Sequence, residues 1–323
     1  MKNFSFLIHA PSGVAGGCES LHQLADALNN LGIIAEMCYY PHTSNFSKPD
    51  KFLMYNVESA PFKDTVHTVH VFPEIYTKLS KKVKMGICCI FWLSIDNYYF
   101  KKDHYSFFER YKRYFLSLLS TRLPTYRMHK MIHLMQSEYS ILHFKNKNFK
   151  QFYIGDYIDY DNIIKGSESR NDRVLYNPAK GFHITQKLMK ENPEIEFLPL
   201  KGYNASELKK IMRDSKIYID FGNHPGRDRM PREFVINGGV VVCGMRGSAK
   251  NESDIPLNGK YKLDESKTTF LYDAKKVLKD IINNYSDAQN DMINYRNILS
   301  TDKERHLNNV EIFVNHLQNN IIK

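Results

Sequence analysis

The residues of this chain best suited to chemistry are cationic and lie between two short apolar runs. The runs, 217–221 and 240–243, have the length and composition of strands buried in a parallel sheet. The loop and the start of a short predicted helix between them carry His224, Arg227, Arg229, Arg232 and Glu233. Free N–H groups at a helix N-terminus favour anions, and guanidinium groups bind phosphate through paired hydrogen bonds. The segment therefore predicts a phosphate site.

The position of this loop favours ligand binding over a solvated surface. On a surface, the arginines would pair with Asp228 and Glu233, and Glu233 would only complement the helix dipole. Here they follow the carboxyl end of a predicted strand, the edge where open α/β sheets bind ligands. We expect Pro231 at the first helical position, where its missing N–H costs nothing. Glu233 would then accept hydrogen bonds from a ribose or sugar hydroxyl.

Residues 218–242, YIDFGNHPGRDRMPREFVINGGVVV, resemble the donor-binding segment of bacterial glycosyltransferases of the GT-B class. The resemblance is closest to transferases of surface-polysaccharide pathways, of the capsule or O-antigen type. It implies an α/β fold with two Rossmann-like domains that face each other across a cleft. The familiar motif has two glutamates separated by seven residues. This sequence has Pro225 in place of the first and keeps Glu233, so the stereochemical outcome stays open.

The same resemblance implies roles for two further loops. In such transferases a lysine before a glycine contacts the donor diphosphate, and Lys180 before Gly181 matches it. A glycine pair in the first loop, here Gly16 and Gly17, faces donor phosphate or acceptor. The alternatives stay open: Lys180 as a solvated lysine, and the glycines as a tight turn that needs positive φ.

Two carboxylates follow predicted strands in the first half of the chain. Glu74 follows the strand 68–72, and Asp96 follows the strand 85–93. An inverting transfer needs a base to take the proton of the acceptor hydroxyl. We therefore predict Glu74 and Asp96 as catalytic candidates, ahead of Glu138 and His104. The alternative is that each carboxylate caps the helix that follows it.

The elements that must position these residues fit two domains of roughly 150 residues in a chain of 323. A strand at 4–9, an amphipathic helix and a strand at 33–40 open a β-α-β unit. Their glycines do not form the GxGxxG fingerprint. The polar tract 159–171 is the best linker. We expect an acceptor domain over 1–165 and a donor domain over 166–323, whose last helix, by the resemblance, crosses back to the first.

Residues 101–130 combine basic and aromatic side chains. Eight lysines and arginines stand against two acidic residues, and aromatic and leucine residues recur at helical spacing. Two interpretations stay open. The segment is an interfacial helix on anionic lipid, or an amphipathic helix that packs its stripe on the sheet. A nucleic-acid partner is not expected, because no binding motif accompanies the charge.

The expected function is glycosyl transfer from a nucleotide-sugar donor to a glycan or lipid-linked acceptor. No cofactor and no metal are expected, because the predicted donor loop has Asp228 followed by Arg229 rather than a DxD triplet, and its basic residues can neutralise a diphosphate. A nucleotide-sugar epimerase of the same architecture and a non-catalytic module that binds glycan or a partner protein are the alternatives.

The expected location is the cytoplasm, peripheral on the inner face of the membrane. No apolar run reaches the roughly 20 residues that span a bilayer, and the N-terminus does not resemble a signal peptide. Five scattered cysteines without a CxxC pair fit a reducing compartment. The net charge of +10 fits acidic partners.

Overall fold

A computed structural model describes residues 4–14, 16–40, 48–101, 105–159 and 170–320. The chain divides into two compact units. Unit 1 comprises Met1–Tyr157 and Lys303–Lys323, and unit 2 comprises Ile158–Asp302. The domain boundary expected between residues 165 and 166 lies outside the described residues.

Unit 1 is a doubly wound parallel sheet. Its strands are β1 (Ser5–Pro11), β2 (Ala35–Tyr40), β3 (Glu58–Ser59), β4 (Thr68–Pro73), β5 (Ile87–Trp92), β6 (Ile132–Met135) and β7 (Lys150–Tyr153). Its first helices are α1 (Gly16–Asn30), α2 (Ile95–Tyr98), α3 (Phe107–Ser120) and α4 (Glu138–His143), and a 3-10 helix spans Glu74–Lys82. The strand order is β3-β2-β1-β4-β5-β6-β7, with every pair parallel.

The order of these strands reverses between β1 and β4. The chain runs outward from β1 to β2 and β3, then returns to place β4 on the other side of β1. Ligands of open α/β sheets bind beyond the carboxyl ends of the strands at such a switch point. In unit 1 the residues that follow β1 and β4 therefore lie where a ligand is expected to bind.

Unit 2 repeats this design with fewer strands. Its elements are β8 (Asn171–Tyr176), α5 (Phe182–Glu191), β9 (Glu196–Pro199), α6 (Ala205–Arg213), β10 (Ser215–Asp220), α7 (Arg229–Ile236), β11 (Val240–Gly244), β12 (Lys262–Leu263), α8 (Phe270–Asn283), α9 (Tyr285–Asp291) and α10 (Ile293–Ser300). The strand order is β12-β11-β10-β8-β9, all parallel. Its switch point lies between β8 and β10.

The central strands form these sheets because both of their faces are buried. All of β11 is buried, as are Ile217 to Asp220 of β10, and a two-sided core selects continuous valine and isoleucine runs rather than alternation. The predicted α/β class with two Rossmann-like sheets is confirmed.

The last helix, α11 (Asp302–Asn320), supplies core residues to unit 1. Val310, Phe313, Val314 and Leu317 join the core cluster of that unit. The ring centroid of Phe313 lies 6.0 Å from that of Phe6 on β1.

The interpretation that α3 packs its whole aromatic stripe on the sheet is wrong. Phe107, Tyr111, Phe115 and Leu119 are 63–67% exposed. The side that faces the unit carries Arg110, Tyr114, Ser117 and Leu118 instead, and of the residues within α3 only Ser117 is fully buried. Among the described residues, no helix combines the length and the apolar character needed to cross a membrane.

Candidate active site

Helix α7 follows β10 and sits beside the switch point of unit 2. It begins at Arg229, so the expectation that Pro231 would be the first helical residue is wrong by two positions. Pro231 is still within the first turn, where a missing N–H breaks no helical bond. Asp228 occupies the N-cap position, but its side chain makes no capping hydrogen bond. The N-terminal turn of α7 therefore has no side-chain acceptor from its own N-cap.

The carboxylate of Asp228 binds two cationic partners instead. Lys180 Nζ donates a hydrogen bond to Asp228 Oδ2, and His224 Nδ1 lies 3.0 Å from the same oxygen. Lys180 Nζ is also 3.9 Å from Asp220, and His224 Nε2 is 3.6 Å from that carboxylate. Two positive and two negative groups thus form one network at the carboxyl ends of β8 and β10.

The pKa values in this network follow from burial and mutual attraction. Burial lowers the pKa of His224, but the carboxylates of Asp220 and Asp228 outweigh this effect and raise it above its ordinary value. Burial raises the pKa of Asp228, but Lys180 and His224 outweigh it and hold that pKa well below its ordinary value. Both groups are therefore stabilised in their charged forms.

Gly181 allows the β8–α5 turn to bring Lys180 to this network. Gly181 has φ +57°, and a Cβ there would lie 2.7 Å from the backbone nitrogen of Gly222. Only glycine meets both demands, since L-residues rarely adopt this conformation and real Cβ atoms do not approach so closely. The turn therefore rests directly on the chain that follows β10.

We expect Gly181→Ala to lower the free energy of unfolding by more than the roughly 1–2 kcal/mol that a left-handed conformation costs. Gly202→Ala is the matched control, because Gly202 has φ +85° but no atom within 4 Å of the added Cβ. Chemical denaturation of both variants measures the difference. Equal losses would show that the close approach at Gly181 does not matter.

Two of the predicted arginines are buried, Arg227 in the loop and Arg232 in α7. Arg227 is 5% exposed, and its Nη2 donates to Asp302 Oδ2 at 2.8 Å. Arg232 is 1% exposed and donates to the backbone oxygens of Asp228 and Arg227. These contacts hold the loop 221–228 against α7 and the start of α11. The predicted contact of Arg227 and Arg232 with phosphate stays a prediction.

His224, like Arg227 and Arg232, is buried and holds the loop in place. Its ring is fully buried, and its backbone oxygen accepts a hydrogen bond from Ser248 N at 2.8 Å. His224 and Gly247 also form a parallel bridge that ties the loops after β10 and β11 together. The predicted contact of His224 with the donor likewise stays a prediction.

Three predicted donor residues keep part of their side chains at the surface. The side chains of Lys180, Arg229 and Glu233 are 24%, 18% and 32% exposed. Arg229 Nε donates to Glu233 Oε1 at 3.3 Å, one helical turn apart on α7. The structure therefore places Lys180 and Arg229 at the N-terminal end of α7 and the Glu233 carboxylate one turn further along the helix.

Three side chains of this network are close enough together to hold a metal ion, namely Asp220, His224 and Asp228. One ligand atom from each lies within 4.8 Å of the others. In this structure Lys180 binds Asp228 and lies close to Asp220, so its ammonium group contributes the positive charge next to these carboxylates. A divalent ion there would have to displace or repel Lys180.

In unit 1, Glu74 lies at the switch point. It follows β4, is 3% exposed, and its Oε2 accepts a hydrogen bond from Leu93 N at 3.3 Å. Burial raises the pKa of Glu74 to about 7, against the lowering influence of that N–H group and of Arg122. A carboxylate with this pKa can exchange a proton near neutral pH, as a general base requires.

Gly17 lies near the same point, within the first turn of α1. Its φ is not in the positive range, so the tight-turn alternative is wrong for Gly17. A Cβ on Gly17 would lie 3.3 Å from Leu93 Cδ1, which places this turn next to the residue that binds Glu74. Gly16 is the first residue of α1.

Asp96 lies one strand further from the switch point. Asp96 lies in α2 after β5 and is 2% exposed. Its Oδ1 accepts a hydrogen bond from Tyr139 OH at 3.0 Å and lies 3.6 Å from Lys101 Nζ. The cap of α2 is Ser94, so the alternative that Asp96 serves as the cap of its helix is wrong. Glu138 begins α4, and His104 lies outside the described residues.

Sequence reasoning included the pairing of Arg229 with Glu233 as an alternative, which the structure shows, but it missed the partners of Lys180, His224 and Arg227. Asp220 and Asp228 carry a local signal, since each stands four residues from His224. Asp302 carries none, because 75 residues separate it from Arg227. Only packing brings that pair together.

The comparisons with known proteins show the fold. No family model matches the chain, and no curated protein matches its sequence. A glycosyltransferase from Rickettsia africae ESF-5 superimposes with a TM-score of 0.56 at 13% identity, over 99% of this chain and 100% of that one. Sucrose-phosphate synthase from Thermosynechococcus elongatus gives a TM-score of 0.67 at 9% identity, over 98% and 99%.

A third structure holds a ligand. Anabaena Alr3699/HepE in complex with UDP-glucose has a TM-score of 0.63 at 14% identity, over 97% of this chain and 100% of that one. At such identities the similarity shows the fold alone. The predicted GT-B fold class is thereby confirmed.

Proposed function

We propose that this protein is a glycosyltransferase that moves a sugar from a nucleotide-sugar donor to a glycan or lipid-linked acceptor. One observation carries the proposal. The loop after β8 brings Lys180 to Asp228, the N-cap of α7, beside the switch point of unit 2, and Arg229 and Glu233 follow in the first five residues of that helix. The fold that holds them is shared with several glycosyltransferases, and one of its members has been solved with UDP-glucose.

The chemistry follows from where charge develops. In glycosyl transfer the bond from the anomeric carbon to the diphosphate oxygen breaks, and the leaving nucleotide gains negative charge. Fixed positive groups stabilise such charge because they need no reorganisation during the reaction. Lys180, Arg229 and the N–H groups at the start of α7 supply them in our proposal. Glu233 accepts a hydrogen bond from a ribose or sugar hydroxyl.

Glu74 is the proposed base of the reaction. As the acceptor hydroxyl oxygen attacks the anomeric carbon, its proton passes to the Glu74 carboxylate. The position of Glu74 at the switch point of unit 1 and its pKa of about 7 support this role over Asp96.

We propose that the transfer is independent of metal. Lys180 is already bound to Asp228, and the raised pKa of His224 places a second positive charge beside the same carboxylates. This charge balance lets Lys180 act where other enzymes use a divalent ion. Activity in a chelator equal to that with added Mg²⁺ or Mn²⁺ would support it, and a requirement for either ion would refute it.

The proposed location is the cytoplasm, at the inner face of the membrane. In the described part of the chain none of the five cysteines forms a disulfide, as expected in a reducing compartment. A lipid-linked acceptor would be reached at that face. Its pathway, of the capsule or O-antigen type, is part of the proposal by resemblance only.

The first experiment is a thermal-shift screen with UDP, GDP, CMP and their sugar conjugates. A ligand at a hundred times its Kd adds about 2.7 kcal/mol to the free energy of unfolding. We expect one nucleotide class to raise the Tm. Glu233→Ala should weaken that binding by roughly tenfold or more, because hydrogen bonds to charged groups contribute about 1.5–3 kcal/mol.

Glu196→Ala is the matched control, because Glu196 also pairs with an arginine of unit 2, Arg173, at 2.8 Å. Its nucleotide binding should equal that of the wild type. A flat response to every nucleotide would refute the proposed function. Equal binding by Glu233→Ala and Glu196→Ala would refute the role of Glu233. Transfer or hydrolysis of the bound donor separates a transferase from an epimerase and from a binding module.

A further inference from the structure

Helix α3 presents a continuous apolar stripe to solvent. Phe107, Tyr111, Phe115 and Leu119 recur every four residues, which places them on one side of the helix. At 1.5 Å per residue the stripe is roughly 18 Å long. Phe108 and Leu116 widen it and are 83% and 51% exposed. Single exposed apolar residues are ordinary, but a contiguous patch of this kind marks an interaction surface.

The surroundings of the stripe are strongly basic. Residues 105–130 contain six lysines and arginines, of which Arg122 is buried and the other five are not, and one acidic residue, Glu109. Glu109 is engaged in the capping box of α3, where its carboxylate accepts a hydrogen bond from Ser106 N at 2.9 Å. Lys112 and Arg113 lie on the exposed part of the helix. The partner of this surface must therefore be both apolar and anionic.

A basic pocket lies at the C-terminal end of α3. It has a volume of about 320 Å³, and its lining includes Tyr40, Tyr76, Lys81, Lys82 and Thr121. The ring centroids of Tyr40 and Tyr76 are 4.9 Å apart. Lys78 donates to the backbone oxygens of Leu118 and Leu119, which fixes the last turn of α3 to the pocket wall. The dimensions and charge of the pocket suit a phosphate-bearing headgroup.

We propose that α3 and this pocket dock unit 1 on an anionic lipid bilayer. The aromatic stripe enters the boundary between headgroups and acyl chains, as amphipathic helices do when they lie in the plane of a membrane. Lys81 and Lys82 contact the phosphate of an anionic headgroup, and Lys112 and Arg113 face the surface potential of the leaflet. This inference deepens the membrane part of the proposed function and does not depend on glycosyl transfer.

The charge of the surface disfavours a second copy of the chain as the occupant. A twofold interface sets the same patch against itself, so the basic residues of two copies would face each other. Like charges brought together without acidic partners oppose such an interface. An anionic bilayer offers an apolar interior to the stripe and negative charge to the basic residues.

The test is co-sedimentation of the full chain with vesicles of phosphatidylcholine alone and of phosphatidylcholine with phosphatidylglycerol. We expect binding to the anionic vesicles and at least tenfold weaker binding to the neutral ones. Higher salt should weaken binding, because the screening length falls from about 10 Å at 0.1 M to about 3 Å at 1 M.

Two variants separate the stripe from the pocket. The α3 variant combines Phe107→Ser, Tyr111→Ser and Phe115→Ser. It should reduce the vesicle partition coefficient more than tenfold. The pocket variant combines Lys81→Gln and Lys82→Gln. It should reduce the partition coefficient about fivefold per lysine, because each basic residue near anionic lipid contributes about 1 kcal/mol to binding. All of these side chains are exposed, so the fold should persist.

Each variant has a matched control in the same chain. Leu53→Ser with Met54→Ser and Ile34→Ser removes three other side chains of unit 1 that are 61–68% exposed. Lys209→Gln with Lys210→Gln removes the same charge from α6. Both controls should bind vesicles as the wild type does.

Failure of this inference can be told from failure of the proposed function. Nucleotide thermal shifts should be unchanged in the α3 variant, whatever the vesicles show. The docking proposal is overturned if the wild type ignores anionic vesicles, or if the α3 variant binds as well as its control. It is equally overturned if the α3 variant alters only self-association or only binding to single-stranded nucleic acid.

Discussion

Replacing Arg227 by methionine is expected to lower the free energy of unfolding by about 3–5 kcal/mol. Arg227 and Asp302 are 5% and 3% exposed, and their charged atoms lie 2.8 Å apart. Removing one member of a buried ion pair leaves an uncompensated charge in a medium that solvates it poorly. Denaturant titration of Arg227→Met against wild type measures the loss.

The double variant Arg227→Met with Asp302→Leu should recover most of this stability, because apolar residues can replace a buried pair at little cost. Arg173→Met is the exposed control. Its partner Glu196 is 54% exposed, so we expect a change of about 1 kcal/mol or less.

Nucleotide binding by the recovered double variant then tests the phosphate prediction for Arg227. Retained binding assigns Arg227 to holding the loop that carries His224 and Asp228. Lost binding with normal stability would instead make Arg227 a phosphate ligand, as the sequence suggested.

Glu74→Gln is expected to lower kcat by roughly 10²–10⁴-fold while donor binding stays unchanged, because general acid-base groups contribute about that much. Glutamine keeps the shape of the side chain but cannot take a proton. Asp96→Asn is the comparison and should cost less, since Asp96 lies beyond the switch point. A Glu74→Gln enzyme with wild-type kcat, or a larger loss in Asp96→Asn, would remove Glu74 from the mechanism.

The Glu74→Gln variant also tests how the free energy of unfolding depends on pH. The pKa of Glu74 is raised from its ordinary 4.5 to about 7, so between these values the folded protein holds a proton that the unfolded chain has lost. Stability therefore falls as pH rises through this window, by about 3 kcal/mol from this group. Glu74→Gln should lack this contribution.

The measurement is the difference in unfolding free energy between wild type and Glu74→Gln at the two ends of that window. Buried histidines also titrate there, among them His133, whose pKa burial lowers to about 4. Their contribution has the opposite sign and cancels in the difference. A difference that does not change with pH would contradict the raised pKa.

The sequence by itself determined the α/β fold class and predicted the segment that carries the candidate donor site. Apolar runs such as 217–221 and 240–243 are too short for typical helices and favour strands buried on both faces, so local patterning predicts the α/β class. Glycines mark the turns because backbone geometry requires them there, as at Gly181 and Gly238. Polar residues after parallel strands fall on one edge of the sheet, whatever else the chain does.

The tertiary structure alone decided which of these residues are buried and which face solvent. Arg227 and Arg229 are equivalent in sequence, yet one pairs with Asp302 inside unit 2 and the other stays partly exposed on α7. The stripe of α3 has the period of a packed helix, yet it points outward. Periodicity fixes which side chains share a face, but burial depends on what packs against that face, and those contacts come from residues distant in the chain.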